Sequence, residues 1–144
     1  MIIMFLLKLN KLVSNKSYRY FSTWFTKTHE YIKFDKKLCT IGLTEYAAES
    51  LGEIVYIHFS SVGMDVKKNE VISEIDSIKA VSEVISPVSG KIVDINKEVE
   101  NNPSLINSSP LDKGWLIKIK SSQKIEDLEL LDKNEYINFI KDNE

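Results

Sequence analysis

Between residues 62 and 95 the chain reads VGMDVKKNEVISEIDSIKAVSEVISPVSGKIVDI, and no other stretch constrains the fold as strongly. Two short strand-like segments, 71–76 and 81–85, in a chain dominated by period-2 segments, flank a tip of Ser77, Ile78, Lys79 and Ala80. Alternation at period 2 turns one set of side chains to a core and the other to water. Two such runs joined by so short a tip pair as an antiparallel hairpin. A lysine at that tip is held on a rigid scaffold while its amine stays in solvent, open to a modifying enzyme. The chain has 18 lysines, so a tip position by itself marks no site.

The surrounding chain repeats the β pattern. Residues 31–34 and 38–41, separated by Asp35-Lys36-Lys37, read as a hairpin. Residues 53–59 alternate, with Val55, Ile57 and Phe59 expected on one face and Ile54, Tyr56 and His58 on the other. Residues 91–95 and 115–120 are further strands, the last with Trp115, Ile117 and Ile119 opposite Lys118 and Lys120. Thr44 is an N-cap candidate for a two-turn helix that carries Glu45 in its first turn and Ala47, Ala48 and Leu51 on one face. Gly52 stands where its C-cap belongs. Residues 96–106 hold a brief helical turn interrupted by Pro103. The tail from about 126 to 141 is expected to be helical, with an Asp132…Glu135 capping box and a buried stripe of Tyr136, Ile137 and Ile140. Strands in the middle with helices early and late predict a small antiparallel sandwich or barrel decorated by helices.

Composition removes whole classes of function. The chain's 144 residues make one domain. A single cysteine, Cys39, excludes a disulfide framework and any multi-cysteine zinc or iron–sulfur centre. Two histidines, His29 and His58, argue against a histidine-rich metal site, and no metal is expected. The longest apolar run, residues 2–7, is far too short to span a membrane. The net charge of −2 points to no nucleic-acid partner.

That net charge hides an asymmetry. Residues 1–27 carry five basic side chains and no acidic one, whereas the rest sets 14 basic against 21 acidic residues. Within MIIMFLLKLNKLVSNKSYRYF, the apolar Phe5, Leu6, Leu9, Leu12 and Val13 recur at helical spacing with lysines between them. A basic, acid-free, amphipathic, serine-containing segment has the composition of a transit peptide. Residues 1–21 are therefore expected to direct the chain to the mitochondrial matrix, with the plastid as second choice. Arg19-Tyr20-Phe21 before Ser22 marks the cut, leaving 22–144 as the mature domain.

Turn residues add a family resemblance. Gly63, sixteen residues before Lys79, and Pro87 and Gly90, eight and eleven after it, resemble the framework of biotinyl and lipoyl carrier domains. There Pro87 fixes φ and Gly90 is expected to take a positive φ. Biotinyl domains flank their lysine with methionines, and Ile78 and Ala80 are not methionine. Lipoyl domains of 2-oxoacid dehydrogenases place an acid directly before it, where this chain has Ile78. Asp76-Ser77-Ile78-Lys79-Ala80-Val81-Ser82-Glu83 instead resembles the lipoylation motif of the glycine cleavage system H protein. The likeness extends in order through Lys27-Thr28-His29-Glu30, Ile41-Gly42-Leu43-Thr44-Glu45-Tyr46-Ala47, Leu51-Gly52-Glu53-Ile54-Val55, Ser86-Pro87-Val88-Ser89-Gly90, Asn102-Pro103, Leu105-Ile106-Asn107 and Gly114-Trp115-Leu116-Ile117-Lys118. Tyr31 stands where the family usually has Trp, and Asp76 where it usually has Glu.

The resemblance implies a mainly β lipoyl/biotinyl-carrier-like sandwich/barrel hybrid with a C-terminal helix. It also implies covalent lipoic acid on Lys79, attached by a lipoate ligase or a lipoyl/octanoyl transferase. Roughly a dozen bonds give that arm a reach on the order of 14 Å. It would take an aminomethyl group from glycine decarboxylase, present it to an aminomethyltransferase and be reoxidised by dihydrolipoamide dehydrogenase, with no catalytic site on the carrier, a monomer. By position, Thr28, Glu30, Ser50 and Glu83 would line a cleft for the loaded arm, Glu30 pairing with its amine. His29 is expected to fix local structure and His58 to be a strand residue. A second reading makes the chain a lipoyl donor that feeds 2-oxoacid dehydrogenases from the same Lys79. A third, an enzyme built on Cys39 with His29 or His58, has no nucleophile motif behind it.

Overall fold

The computed structural model describes residues 22–144. The reading of residues 1–21 as a transit peptide lies outside them. Among the described residues, nine strands form two antiparallel sheets. The larger sheet contains β1 (Ser22–Phe25), β2 (Glu30–Asp35), β3 (Leu38–Leu43), β5 (Asp65–Val66), β8 (Gly90–Ile95) and β9 (Ile117–Lys120), in the order β1-β2-β3-β9-β8-β5. The smaller has β6 (Val71–Ser77) at its centre, between β4 (Ile54–Phe59) and β7 (Val81–Ile85). Their inner faces meet over one core that includes Ile32, Ile41, Ile72, Ile75, Val84, Ile92, Ile117 and Ile119. This is the mainly β sandwich expected from the alternation.

Local chemistry accounts for the first helix, α1 (Glu45–Leu51). The Thr44 side chain accepts from the Ala47 N–H, and the Gly52 N–H bonds the Ala48 carbonyl at the other end. Two shorter helices, α2 (Lys97–Asn101) and α3 (Leu105–Ser108), lie on either side of Pro103. The C-terminal helix α4 (Lys133–Asp142) opens on the expected capping box of Asp132 and Glu135. Its Tyr136, Ile137 and Ile140 close a second apolar cluster with Phe25 and Tyr31, and the Phe25 and Tyr136 rings stack at 4.7 Å.

Four expectations are corrected. Strict alternation in β4 fails because the register slips between Ile54 and Tyr56, a β-bulge that leaves Val55 without a partner. Ile54 and Ile57 are both buried as a result, and Val55 is exposed alongside Tyr56 and His58. Trp115 precedes β9 and does not join its inner face. Leu116 is buried instead, and the Trp115 ring receives the Lys118 ammonium 4.6 Å from its centroid. The tail is not helical throughout. After one 3₁₀ turn (Ile125–Asp127) the chain extends, and Leu131 bridges Phe25 with hydrogen bonds in both directions. That bridge adds a rung beside β1, a pairing that depends on a segment a hundred residues away. Gly90, finally, is required by close packing and not by a positive φ, since a Cβ there would lie 2.3 Å from the Lys120 carbonyl oxygen.

Candidate functional site

The sequence places Lys79 on the β6–β7 hairpin, and the structure shows what holds that tip. The Ser77 N–H donates to the Ala80 carbonyl at 2.8 Å. The Ser77 hydroxyl oxygen accepts from the N–H groups of both Lys79 and Ala80, each at 3.1 Å. One short polar side chain thus organises every residue of the turn but Ile78. The Ile78 N–H donates to the Glu53 carbonyl at 3.0 Å, which ties the tip to the loop after α1. Asn107 fixes that loop in turn, its amide donating to the Gly52 carbonyl and accepting from the Ile54 N–H. Lys79 and Ile78 remain exposed on this braced support. Ser77 and Asn107 appear in the sequence only as members of matched motifs, and nothing local marks them as braces. Their partners lie across a turn or more than fifty residues away.

A cleft of about 140 Å³ opens at the other end of β7. Thr26, Thr28, Glu30, Lys68, Ile85 and Pro87 are among its lining residues. Glu30 lies at the start of β2, only 2% exposed. Its Oε1 accepts from the Thr26 hydroxyl at 2.6 Å and from the Thr28 hydroxyl, and the Ile85 N–H also bonds the carboxylate. Burial raises the Glu30 carboxyl above its ordinary value, and these hydrogen bonds pull the other way without overcoming it. The Glu30 floor is therefore polar, anionic when ionised, and without a basic partner among the described residues.

The four expected cleft residues separate into two pairs. Thr28 and Glu30 line the cleft. Ser50 and Glu83 do not. Ser50 is exposed on α1, two residues before Gly52, and Glu83 is exposed on β7 between the Lys79 tip and Ile85. Ile85 shares the outward face of β7 with Val81 and Glu83. Lys68, Ile85, Pro87 and Glu129 are further lining residues that the sequence reading missed, because they come from three separate segments.

His29 holds structure together. It has a φ of 70°, and its Nδ1 lies 2.8 Å from the Tyr136 hydroxyl, which itself donates to Thr44 Oγ1 at 2.8 Å. Burial lowers its pKa. Cys39 is 1% exposed on β3, and burial pushes its thiol up to about 11, so the nucleophilic thiolate is disfavoured. That geometry offers nothing to a reading built on Cys39.

The arrangement is thus an exposed amine at a braced tip, with a polar cleft at the other end of β7. Presenting chemistry on a projecting lysine is what a swinging-arm carrier does, and on this sandwich it defines a carrier domain of the lipoyl type. Comparison with known proteins makes the class specific. The sequence matches the Glycine cleavage H-protein family over residues 23–143, and the chain belongs to that family. The glycine cleavage system H protein of Thermotoga maritima is 44% identical over 115 residues, 80% of this chain and 93% of the relative. Glycine cleavage system H protein 2, mitochondrial, of Arabidopsis thaliana is 37% identical over 118 residues, 82% of this chain and 76% of the relative. The crystal structure of a glycine cleavage system H protein from Mycobacterium marinum superposes with a TM-score of 0.75 at 29% identity, covering 85% of this chain and 96% of that one. The chain is accordingly a carrier subunit of the glycine cleavage system.

Proposed function

We propose that Lys79 is the residue through which this carrier works, bearing a lipoyl group in amide linkage. The braced tip carries the reading. A modifying enzyme needs an exposed amine whose backbone is fixed, and Ser77 and the Glu53 carbonyl fix it. The residues fit such a group. Lys79 is exposed, makes no ion pair among the described residues, and lays its stem across Gly52, where no side chain obstructs it. When bound, lipoate supplies a dithiolane able to accept a group and two electrons. The chain's own residues supply position, reach and shelter.

Reach decides how the cleft is used. At about 3.3 Å per residue, Ile85 lies about 13 Å along β7 from Val81, comparable with the arm. An arm laid along that strand passes Glu83 and ends near the cleft. There Thr26 and Thr28 hold the Glu30 carboxylate toward a cationic amine. Ser50 and Glu83 serve the lysine end and the middle of that path.

In this reading the carrier performs no turnover itself. It is charged by a lipoate ligase or a lipoyl/octanoyl transferase, and it serves glycine decarboxylase, an aminomethyltransferase and dihydrolipoamide dehydrogenase in turn. Tethering raises the local concentration of the group at each enzyme. We also assign residues 1–21 as a mitochondrial transit peptide, supported by their basic, acid-free composition and by a family match that begins at residue 23.

Peptide mapping of the protein isolated from its own cells tests both assignments. A single lipoyl increment on the peptide containing Lys79, lost in Lys79→Arg, with the N-terminus near Ser22, is the expected result. A folded, processed chain with Lys79 unmodified would overturn the carrier assignment of this lysine. An intact N-terminus would overturn the leader.

A further inference from the structure

The outward face of the smaller sheet carries a second chemical feature, next to the Lys79 tip and independent of its modification. His58 on β4 pairs directly with Glu74 on β6, and Glu74 pairs with Glu83 on β7. Directly opposed residues of an antiparallel pair share a face, so one imidazole and two carboxylates form a row across the sheet. Asp76, two residues beyond Glu74, projects from the same face. His58 Nε2 stands 4.0 Å from Asp76 Oδ2. One ligand atom from each of His58, Glu74 and Asp76 lies within 4.8 Å of the others.

Two further observations show that this face lacks a partner. Among the described residues no lysine or arginine forms an ion pair with Glu74, Asp76 or Glu83, although like charges directly opposed on a sheet are unfavourable. Asp76 Oδ1 is buried and accepts no hydrogen bond, a costly state for a carboxylate oxygen. A cation held at Asp76 Oδ2, the oxygen that faces His58, would relieve the first.

We propose that His58, Glu74 and Asp76 form a binding site for one divalent transition-metal cation of the zinc type. His58 Nε2 and one oxygen of each carboxylate would be the ligands, with water completing the shell. The imidazole selects this class over magnesium and calcium, which prefer all-oxygen shells, and three protein ligands with an open position suit a tetrahedral ion. Metal–ligand bonds of about 2.0–2.2 Å place ligand atoms about 3.4 Å apart. Closing from the present spacing needs side-chain rotation alone, since His58 and Glu74 are exposed. No sequence spacing announces the site, because His58 is brought to Glu74 only by pairing of β4 with β6. The other imidazole, His29, is half-buried with Nδ1 bonded to Tyr136, and Cys39 is buried, so neither competes as an exposed ligand.

The test is calorimetric titration of the full chain with zinc chloride in chelator-free buffer, alongside amide NMR. One saturable site is expected, with shifts centred on β4 and β6. His58→Ala and Asp76→Asn are each expected to weaken binding at least about tenfold, the lower end of what even an outer-shell change costs. Glu100→Gln, exposed on α2, leaves it unchanged. Magnesium at millimolar concentration should not compete. Absence of saturable binding, wild-type affinity in both variants, or shifts centred elsewhere would each overturn the proposal. The NMR map of the wild-type chain decides the matter even if a variant folds poorly.

Discussion

The Lys79 side chain lies across Gly52, so that a Cβ at Gly52 would stand 3.2 Å from Lys79 Cε. The same glycine ends α1 with φ 75° and ψ −153°, a backbone region essentially restricted to glycine. One residue therefore stops the helix, opens the floor under the lysine and, through its carbonyl, is held by Asn107. Gly52→Ala should cost about 1–3 kcal/mol of stability from backbone strain. It should also slow lipoylation of Lys79 by a purified ligase. Urea unfolding and a modification time course check the two effects separately. A stability loss with an unchanged modification rate would show that the lysine does not use this floor.

Ser77 holds the tip through hydrogen bonds in an exposed place, where their net worth is about 0.5–1.5 kcal/mol at most. Ser77→Ala should therefore leave global unfolding nearly unchanged. It should increase hydrogen exchange at the Lys79 and Ala80 amides and reduce the modification rate. Unaltered exchange at both amides would mean the Ile78–Glu53 bond alone suffices to order the turn.

Tyr136 joins three elements: its ring stacks on Phe25 of β1, and its hydroxyl links His29 with the Thr44 cap of α1. Tyr136→Phe keeps the stacking and deletes only the oxygen. The half-buried His29 Nδ1 is then left without its partner, and a loss of about 0.5–1.5 kcal/mol is expected, the net worth of one hydrogen bond. Chemical denaturation measures it. His29→Ala should be non-additive with Tyr136→Phe, because both remove the same contact.

Which parts of this architecture a sequence reader can see follows from where each partner lies. The 31–41 hairpin, α1 with its Thr44 and Gly52 caps, the Asp132–Glu135 box and the Lys79 tip are specified by residues within a few positions of one another. The resemblance of the 76–83 segment then supplied the chemistry that periodicity alone leaves open. The bulge at Val55, the inward turn of Leu116 in place of Trp115, the Leu131 bridge and the need for glycine at position 90 all depend on a distant strand. The cleft is split the same way. Thr28 and Glu30 sit inside a recognisable motif, while Lys68, Ile85, Pro87 and Glu129 meet them only through tertiary packing.

Glu30 ties the cleft to pH. Burial raises its carboxyl in the folded chain above the unfolded value, so between those two values the native state holds a proton that the unfolded chain has released. Its contribution to stability is present below the unfolded value and is lost as pH rises through the raised one. Glu30→Gln cannot titrate. The stability of the wild type relative to Glu30→Gln should therefore decline as pH rises across that window and level off above it. Paired urea titrations from pH 4 to 7 measure the difference while cancelling every carboxylate the two chains share. A flat or rising difference would show that Thr26, Thr28 and the Ile85 N–H outweigh desolvation and keep the group ionised throughout. A declining one means the cleft holds the Glu30 charge at a cost, and that cost is what a cationic amine docked against Glu30 would offset.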